Sequence, residues 1–183
     1  MSNTTLLYEL IANSANNFPD RTALSYGDRL IPYGELLDQV MRFSSGLMQL
    51  AIQRGERVAI YLEKRFETVI ASFGAPAAGC VFVPLNPLLK AEQVGYILRD
   101  CNVRVLITSS ERLALLQESL ATCPDLRHIV VLDSSEPIPN ADGLALCRWS
   151  ELLAMSPRPG HRVIDTDVAS ILYTSGSTGK PKG

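Results

Sequence analysis

The sequence predicts an α/β fold: a mostly parallel sheet with helices on both faces. Between Arg57 and Leu132, apolar runs of strand length alternate with stretches of helical periodicity. The runs Val58-Ala59-Ile60 and Val103 to Ile107 are apolar or β-branched with little alternation, as in strands covered on both sides. The joints are short, which implies parallel strands with right-handed crossovers.

The elements follow in order. Leu6, Leu7, Leu10 and Ile11 recur at helical spacing and predict a helix over 5–16, ended by Phe18-Pro19-Asp20. Residues 22–26 and 29–31 read as two short strands around the turn signal Gly27-Asp28. A long helix runs from Tyr33 to about Ala51, with Leu36, Val40, Phe43, Leu47 and Leu50 on one face. That stripe covers too few heptads for a partner zipper and reads as core. Pro32 stands at the helix entry, where its fixed φ and missing N–H are tolerated.

The alternation then reads as strand 57–62, helix 66–78, strand 81–85, helix 90–100, strand 104–108, helix 110–121 and strand 127–132. Pro76 predicts a kink or an end of its helix near Ala75. Ala91, Val94, Leu98 and Cys101 share a face and read as core. Residues 133–162 carry Pro137, Pro139, Pro157 and Pro159, with one helical stretch around Trp149 to Met155. They read as an exposed excursion, not a second domain. A strand over 168–173 then returns to the sheet.

A chain of 183 residues can bury one good core. With 46% hydrophobic and 20% charged residues it has the make-up of a soluble globular protein. A net charge of −2 supplies no field that favours nucleic acid or an acidic membrane surface. No apolar run approaches bilayer-spanning length, and the first residues lack the pattern of a secretory signal. Cys80, Cys101, Cys123 and Cys147 form no C-x-x-C pair, and His128 and His161 fall in no ligand spacing. Free thiols in a reducing cytoplasm are expected, and no metal ligand is assigned.

The final thirteen residues, Ile171 to Gly183, hold the sharpest signal. An apolar run gives way to small Ser, Thr and Gly residues, then to lysines. Glycine lets a backbone approach a ligand closely, and successive N–H groups in a turn can converge on an anion. Hydroxyls at Thr174, Ser175, Ser177 and Thr178 add donors; Lys180 and Lys182 add positive charge. The tract is not a Walker A loop, because only Ser177 and Thr178 separate Gly176 from Gly179 and Pro181 follows Lys180. By composition alone the reading that wins is a flexible linker.

The run Tyr173-Thr174-Ser175-Gly176-Ser177-Thr178-Gly179-Lys180-Pro181-Lys182-Gly183 resembles the phosphate-loop signature of the AMP-forming adenylating enzymes. These are acyl-CoA synthetases, luciferases and peptide-synthetase adenylation domains. The likeness extends upstream. Arg57 to Leu62 resembles the family's first central strand, Ala77 to Pro87 its "AG-x-x-x-VPLNP" segment, and Arg104 to Thr108 the strand after that. The resemblance implies the N-terminal subdomain of an adenylate-forming ligase fold. Residues 1–183 would be an incomplete AMP-binding domain that ends at the phosphate loop.

It also implies a reaction. A carboxylic acid is activated by ATP as an acyl-adenylate, and a thiol, coenzyme A or that of a carrier protein, takes the acyl group. Thr174, Ser175, Gly176, Ser177, Thr178, Gly179, Lys180 and Lys182 would hold the β- and γ-phosphates, Lys180 at a position the family varies. Mg²⁺ is expected with the nucleotide. No catalytic residue is assigned within the chain, since the family's adenine, metal, ribose and C-terminal lysine motifs lie beyond the loop; residues 1–183 alone are expected not to adenylate. Asn86, where peptide-synthetase domains tend to carry Asp, tilts the reading toward acyl-CoA synthetases. A carrier-loading adenylation domain and a non-catalytic nucleotide-binding module are the alternatives.

Ligands of open parallel sheets gather at the carboxyl ends of strands. Glu63-Lys64-Arg65, Asn86-Pro87, Thr108-Ser109-Ser110 and Thr174 to Gly179 are expected there. The first reads as a solvated charge cluster that departs from the family's usual Pro or Asn. The second reads as a rigid turn.

Overall fold

A computed structural model describes residues 6–133, 138, 143–174 and 181–183. Helix α1 (Glu9–Asn17) precedes an antiparallel hairpin, β1 (Thr22–Tyr26) and β2 (Arg29–Pro32), turned at Gly27 with φ +58°. Helix α2 (Tyr33–Gln49) follows. The alternating body is β3 (Arg57–Tyr61), α3 (Phe66–Ala77), β4 (Val81–Pro84), α4 (Ala91–Asp100), β5 (Val103–Thr108), α5 (Ser110–Leu120) and β6 (His128–Val131). Strand β7 (Ala145–Arg148) and helix α6 (Trp149–Leu153) complete the named elements.

Strands β3 to β7 form one sheet in the order β4-β3-β5-β6-β7, with every neighbouring pair parallel. The order reverses between β3 and β5. Side-chain alternation sends each strand's residues to opposite cores. Val58, Ile60, Ile107 and Val130 pack under α2 and α3, while Ala59, Leu106, Ile129 and Val131 pack under α4 and α5. The α2 stripe is buried as expected at Leu36, Val40, Phe43 and Leu47. On the opposite face Val94, Ile97 and Leu98 root α4, with exposures of 0%, 0% and 1%. The register slips by one residue beside Arg57, so that Arg104 is bulged out of the ladder. Its guanidinium turns to Glu56 at 3.0 Å and to Asp125, closing the start of the sheet.

Four expectations need correction. The first helix begins at Glu9 rather than residue 5. Helix α3 passes Pro76 and ends at Ala77. The proline falls in the last turn, and Ala78 N–H still reaches Gly74 O at 3.0 Å, so one missing donor does not stop the helix. The excursion contributes β7, which extends the sheet beside β6. Its far end docks: the Trp149 ring lies 5.2 Å from Phe43, and Arg158 N–H donates to Ser45 Oγ at 2.8 Å. The strand expected over 168–173 reduces to one parallel bridge, Phe82 with Ser170. Among the described residues two ladder bonds form there, Phe82 N–H to Ala169 O (3.0 Å) and Ile171 N–H to Phe82 O (3.1 Å).

Candidate functional site

The turns that leave β3, β4 and β5 meet at one arginine. The guanidinium of Arg112, on α5, lies 4.7 Å from the centre of the Tyr61 ring. It donates to Pro87 O at 2.8 Å and to Glu63 Oε1 at 3.1 Å. Tyr61 O–H in turn donates to Leu89 O at 2.8 Å. Beside Arg112 opens a cleft of about 430 Å³ lined by Leu62, Glu63, Arg65, Ser109, Glu111 and Leu115. It stands where the strand order reverses, the position at which open α/β sheets take ligands.

Glu63-Lys64-Arg65 is solvent-exposed as expected. Its end charges are nonetheless engaged, Glu63 by Arg112 and Arg65 by Glu67 at 2.8 Å. Asn86 makes the rigid turn: its Oδ1 accepts Leu88 N–H at 2.9 Å. Ser109 caps α5 by accepting Arg112 N–H at 3.4 Å. The Ser109 hydroxyl also holds the Glu111 carboxyl below its ordinary range. Sequence reasoning missed Arg112. Its only signal is its place in the first turn of a helix that follows a strand.

Of the glycine-rich tract, Thr174 and Lys182 are described; Ser175, Gly176, Ser177, Thr178, Gly179 and Lys180 lie outside the described residues. Thr174 and Lys182 form an antiparallel bridge. Thr174 N–H donates to Lys182 O at 2.8 Å, and Lys182 N–H to Thr174 O at 3.0 Å. The two ends of the tract are therefore paired as the stem of a hairpin.

The side chain that precedes the stem is anchored away from the carboxyl edge where the other three turns gather. After Ile171 the Tyr173 side chain reaches the end of α4, where its O–H donates to Asp100 Oδ2 at 2.5 Å. That end lies by the strand starts, since Arg57, the first residue of β3, donates to Asn102 O at 2.8 Å. The apolar faces of Ile171 and Tyr173 pack against the α4–α5 core.

His128 and His161 fill ordinary positions. His128 opens β6, and burial, with Arg127 second, lowers its pKa. His161 Nε2 lies 3.0 Å from Ile52 O. Among the described residues no three His, Cys, Asp or Glu side chains converge on a possible metal position, so no step is assigned to a metal held by them. No helix among them is long and apolar enough to cross a membrane. The four cysteines are free thiols.

The AMP-binding enzyme family model matches residues 11–183. The chain is 32% identical to an acetyl-coenzyme A synthetase of Coprinopsis cinerea over 96% of its own length and 29% of that protein's. It is 28% identical to a linear gramicidin synthase of Brevibacillus parabrevis over 97% of itself and 3% of that protein. Among solved structures it resembles an anthranilate CoA ligase in complex with anthranoyl-AMP, with a TM-score of 0.85, 28% identity, and coverage of 96% of this chain and 33% of that one. It thus spans a third or less of the length of each of these relatives. Both acyl-CoA ligases and peptide synthetases are among its homologues. The family match opens at Ile11, inside α1, and takes in every later element of the fold; the chain belongs to the AMP-binding enzyme family of adenylate-forming ligases.

Proposed function

We propose that residues 1–183 are the N-terminal part of an ATP-dependent acid–thiol ligase, ending at its phosphate loop. The observation that carries the reading is the tract Tyr173 to Gly183, whose ends are joined by the Thr174–Lys182 pair. A carboxylate oxygen of the substrate attacks the α-phosphorus of ATP, and the bond to the β-phosphate bridge breaks to release pyrophosphate. The thiol sulfur of coenzyme A then attacks the acyl carbon, and AMP leaves. Displacement at phosphorus asks the protein for positioning and charge stabilisation rather than covalent chemistry.

In this reading Thr174, Ser175, Ser177 and Thr178 donate hydroxyl hydrogen bonds to the β- and γ-phosphates. Gly176 and Gly179 permit close backbone approach, and Lys182 and Lys180 offset charge. Mg²⁺ would accompany the nucleotide. Asn86 and the acetyl-coenzyme A synthetase relative support coenzyme A as the acceptor. The gramicidin synthase relative favours a second reading, in which a carrier-protein thiol is loaded.

The test has two arms. The purified chain, given MgATP and a panel of carboxylic acids, should bind the nucleotide yet release no pyrophosphate; release at rates near a complete ligase would overturn the claim that it lacks catalytic parts. The longer natural reading frame, if one exists, should convert ATP to AMP only with an acid and coenzyme A. Dependence on a carrier protein selects the second reading, and a frame that closes near Gly183 selects a non-catalytic nucleotide-binding module.

A further inference from the structure

The segment that leads into the tract is weakly held by the sheet. Its two ladder bonds end at Ile171, and Leu172 is 62% exposed. The next fixed point is Tyr173. Its hydroxyl donates to Asp100 Oδ2, while Tyr96 O–H donates to the other oxygen of the same carboxylate at 3.3 Å. Asp100 is the last residue of α4, a helix rooted in the core by Val94, Ile97 and Leu98. The carboxylate is therefore presented from a rigid element.

Two contacts carry that anchorage across the stem. One is the paired backbone bonding of Thr174 with Lys182. The other is Gly183, which lies on the Tyr173 ring so closely that a Cβ there would stand 2.7 Å from Cε2 and 2.9 Å from Cζ. Only a residue without a side chain fits against the ring without displacement. Burial, followed by the Asp100 hydrogen bond, raises the Tyr173 pKa, so the phenol keeps its proton throughout the neutral range.

We propose that Asp100 is the positioning residue of the phosphate loop: through the Tyr173 hydroxyl it sets where Thr174 and Lys182 stand. The proposal rests on the polyphosphate reading for its function, but not for its geometry. A loop whose ends are fixed before binding loses less conformational freedom when phosphates arrive, and binds them more tightly for that reason.

The experiment is residue-resolved amide exchange on the whole chain, paired with MgATP titration. In Tyr173→Phe and Asp100→Ala, exchange at the Thr174 and Lys182 amides should rise about tenfold, while Ile107 and Val130 amides stay unchanged. Asp100→Asn keeps an acceptor oxygen and should restore most of the protection; Tyr96→Phe should leave the stem as it is. Affinity for MgATP should fall about tenfold in the first two variants and recover in Asp100→Asn. Unchanged stem exchange in Tyr173→Phe would overturn the proposal. If Asp100→Ala loosens every amide, Tyr173→Phe, which removes a single oxygen, decides. Failure of the wild-type chain to bind MgATP while the exchange pattern holds would remove the polyphosphate reading and leave the anchor standing.

Discussion

The ring of Trp149 lies 5.2 Å from that of Phe43, tilted by 32°, and this contact fastens the end of the proline-rich excursion to the longest helix. Trp149 is 6% exposed. Behind it, a Cβ on Gly46 would come within 2.4 Å of Leu152 Cγ, so α2 and α6 touch where no side chain intervenes. Trp149→Ala should destabilise the chain by about 3 kcal/mol. Urea unfolding measures the loss, and amide exchange should rise first at Cys147 and Leu152. As the only tryptophan, Trp149 also makes intrinsic fluorescence a direct reading of docking in the parent chain.

Helix α2 ends in a left-handed residue that is not glycine. Ala51 has φ +56°, with Ala51 N–H bonded to Met48 O at 3.2 Å and Ile52 N–H to Leu47 O at 3.3 Å. This double bond pattern calls for glycine at Ala51. Relief of a left-handed penalty of about 1–2 kcal/mol exceeds the extra freedom that glycine gives the unfolded chain, about 0.4–1 kcal/mol. Ala51→Gly should therefore raise stability by about 0.5 kcal/mol. A urea midpoint that falls instead would contradict this account of the cap.

Burial, with Glu56 second, pushes the Cys80 thiol up to about 12, and burial, with Glu151 second, pushes Cys147 up to about 11. Thiolate is the reactive form, so both should resist alkylation at neutral pH in the folded chain. Cys147 is half-buried and Cys80 is buried, so Cys147 should react first. Intact mass after timed exposure to N-ethylmaleimide gives the order, and all four cysteines should label at once in denaturant.

The pKa of His128 is lowered from 6.5, so between its folded and ordinary values the unfolded chain binds the extra proton. Its contribution to stability is complete above about pH 6.5 and is lost as pH falls toward the folded value. Asp125 and Asp167, held below the usual carboxylate range by Arg104 and Arg54, add losses only at lower pH. Urea midpoints at pH 7.5 and 5.5 should differ in the parent chain and draw together in His128→Gln.

The sheet body was legible because its information is local. Residues Val58-Ala59-Ile60 and the Val94–Leu98 stripe announce their periods within a single element. Strand β7 was not, because Ala145-Leu146-Cys147-Arg148 has no strand pattern of its own; its place comes from the β6 ladder beside it. The strand expected at 168–173 failed for the converse reason. Its apolar residues signalled a strand, but pairing with β4 stops at the single Phe82–Ser170 bridge and its two bonds, while the side chains of Ile171 and Tyr173 pack against the α4–α5 core.

Hydrophobic periodicity along the chain is enough to predict the α/β class and the parallel sheet, and the order of residues from Tyr173 to Gly183 carries the resemblance to a phosphate loop. They are not enough to show that Arg112 gathers three turns or that Asp100 holds Tyr173, which the folded chain alone reveals. Those partners stand 25, 49 and 73 residues apart, and their meeting depends on how strands cross and pack, which no single segment encodes.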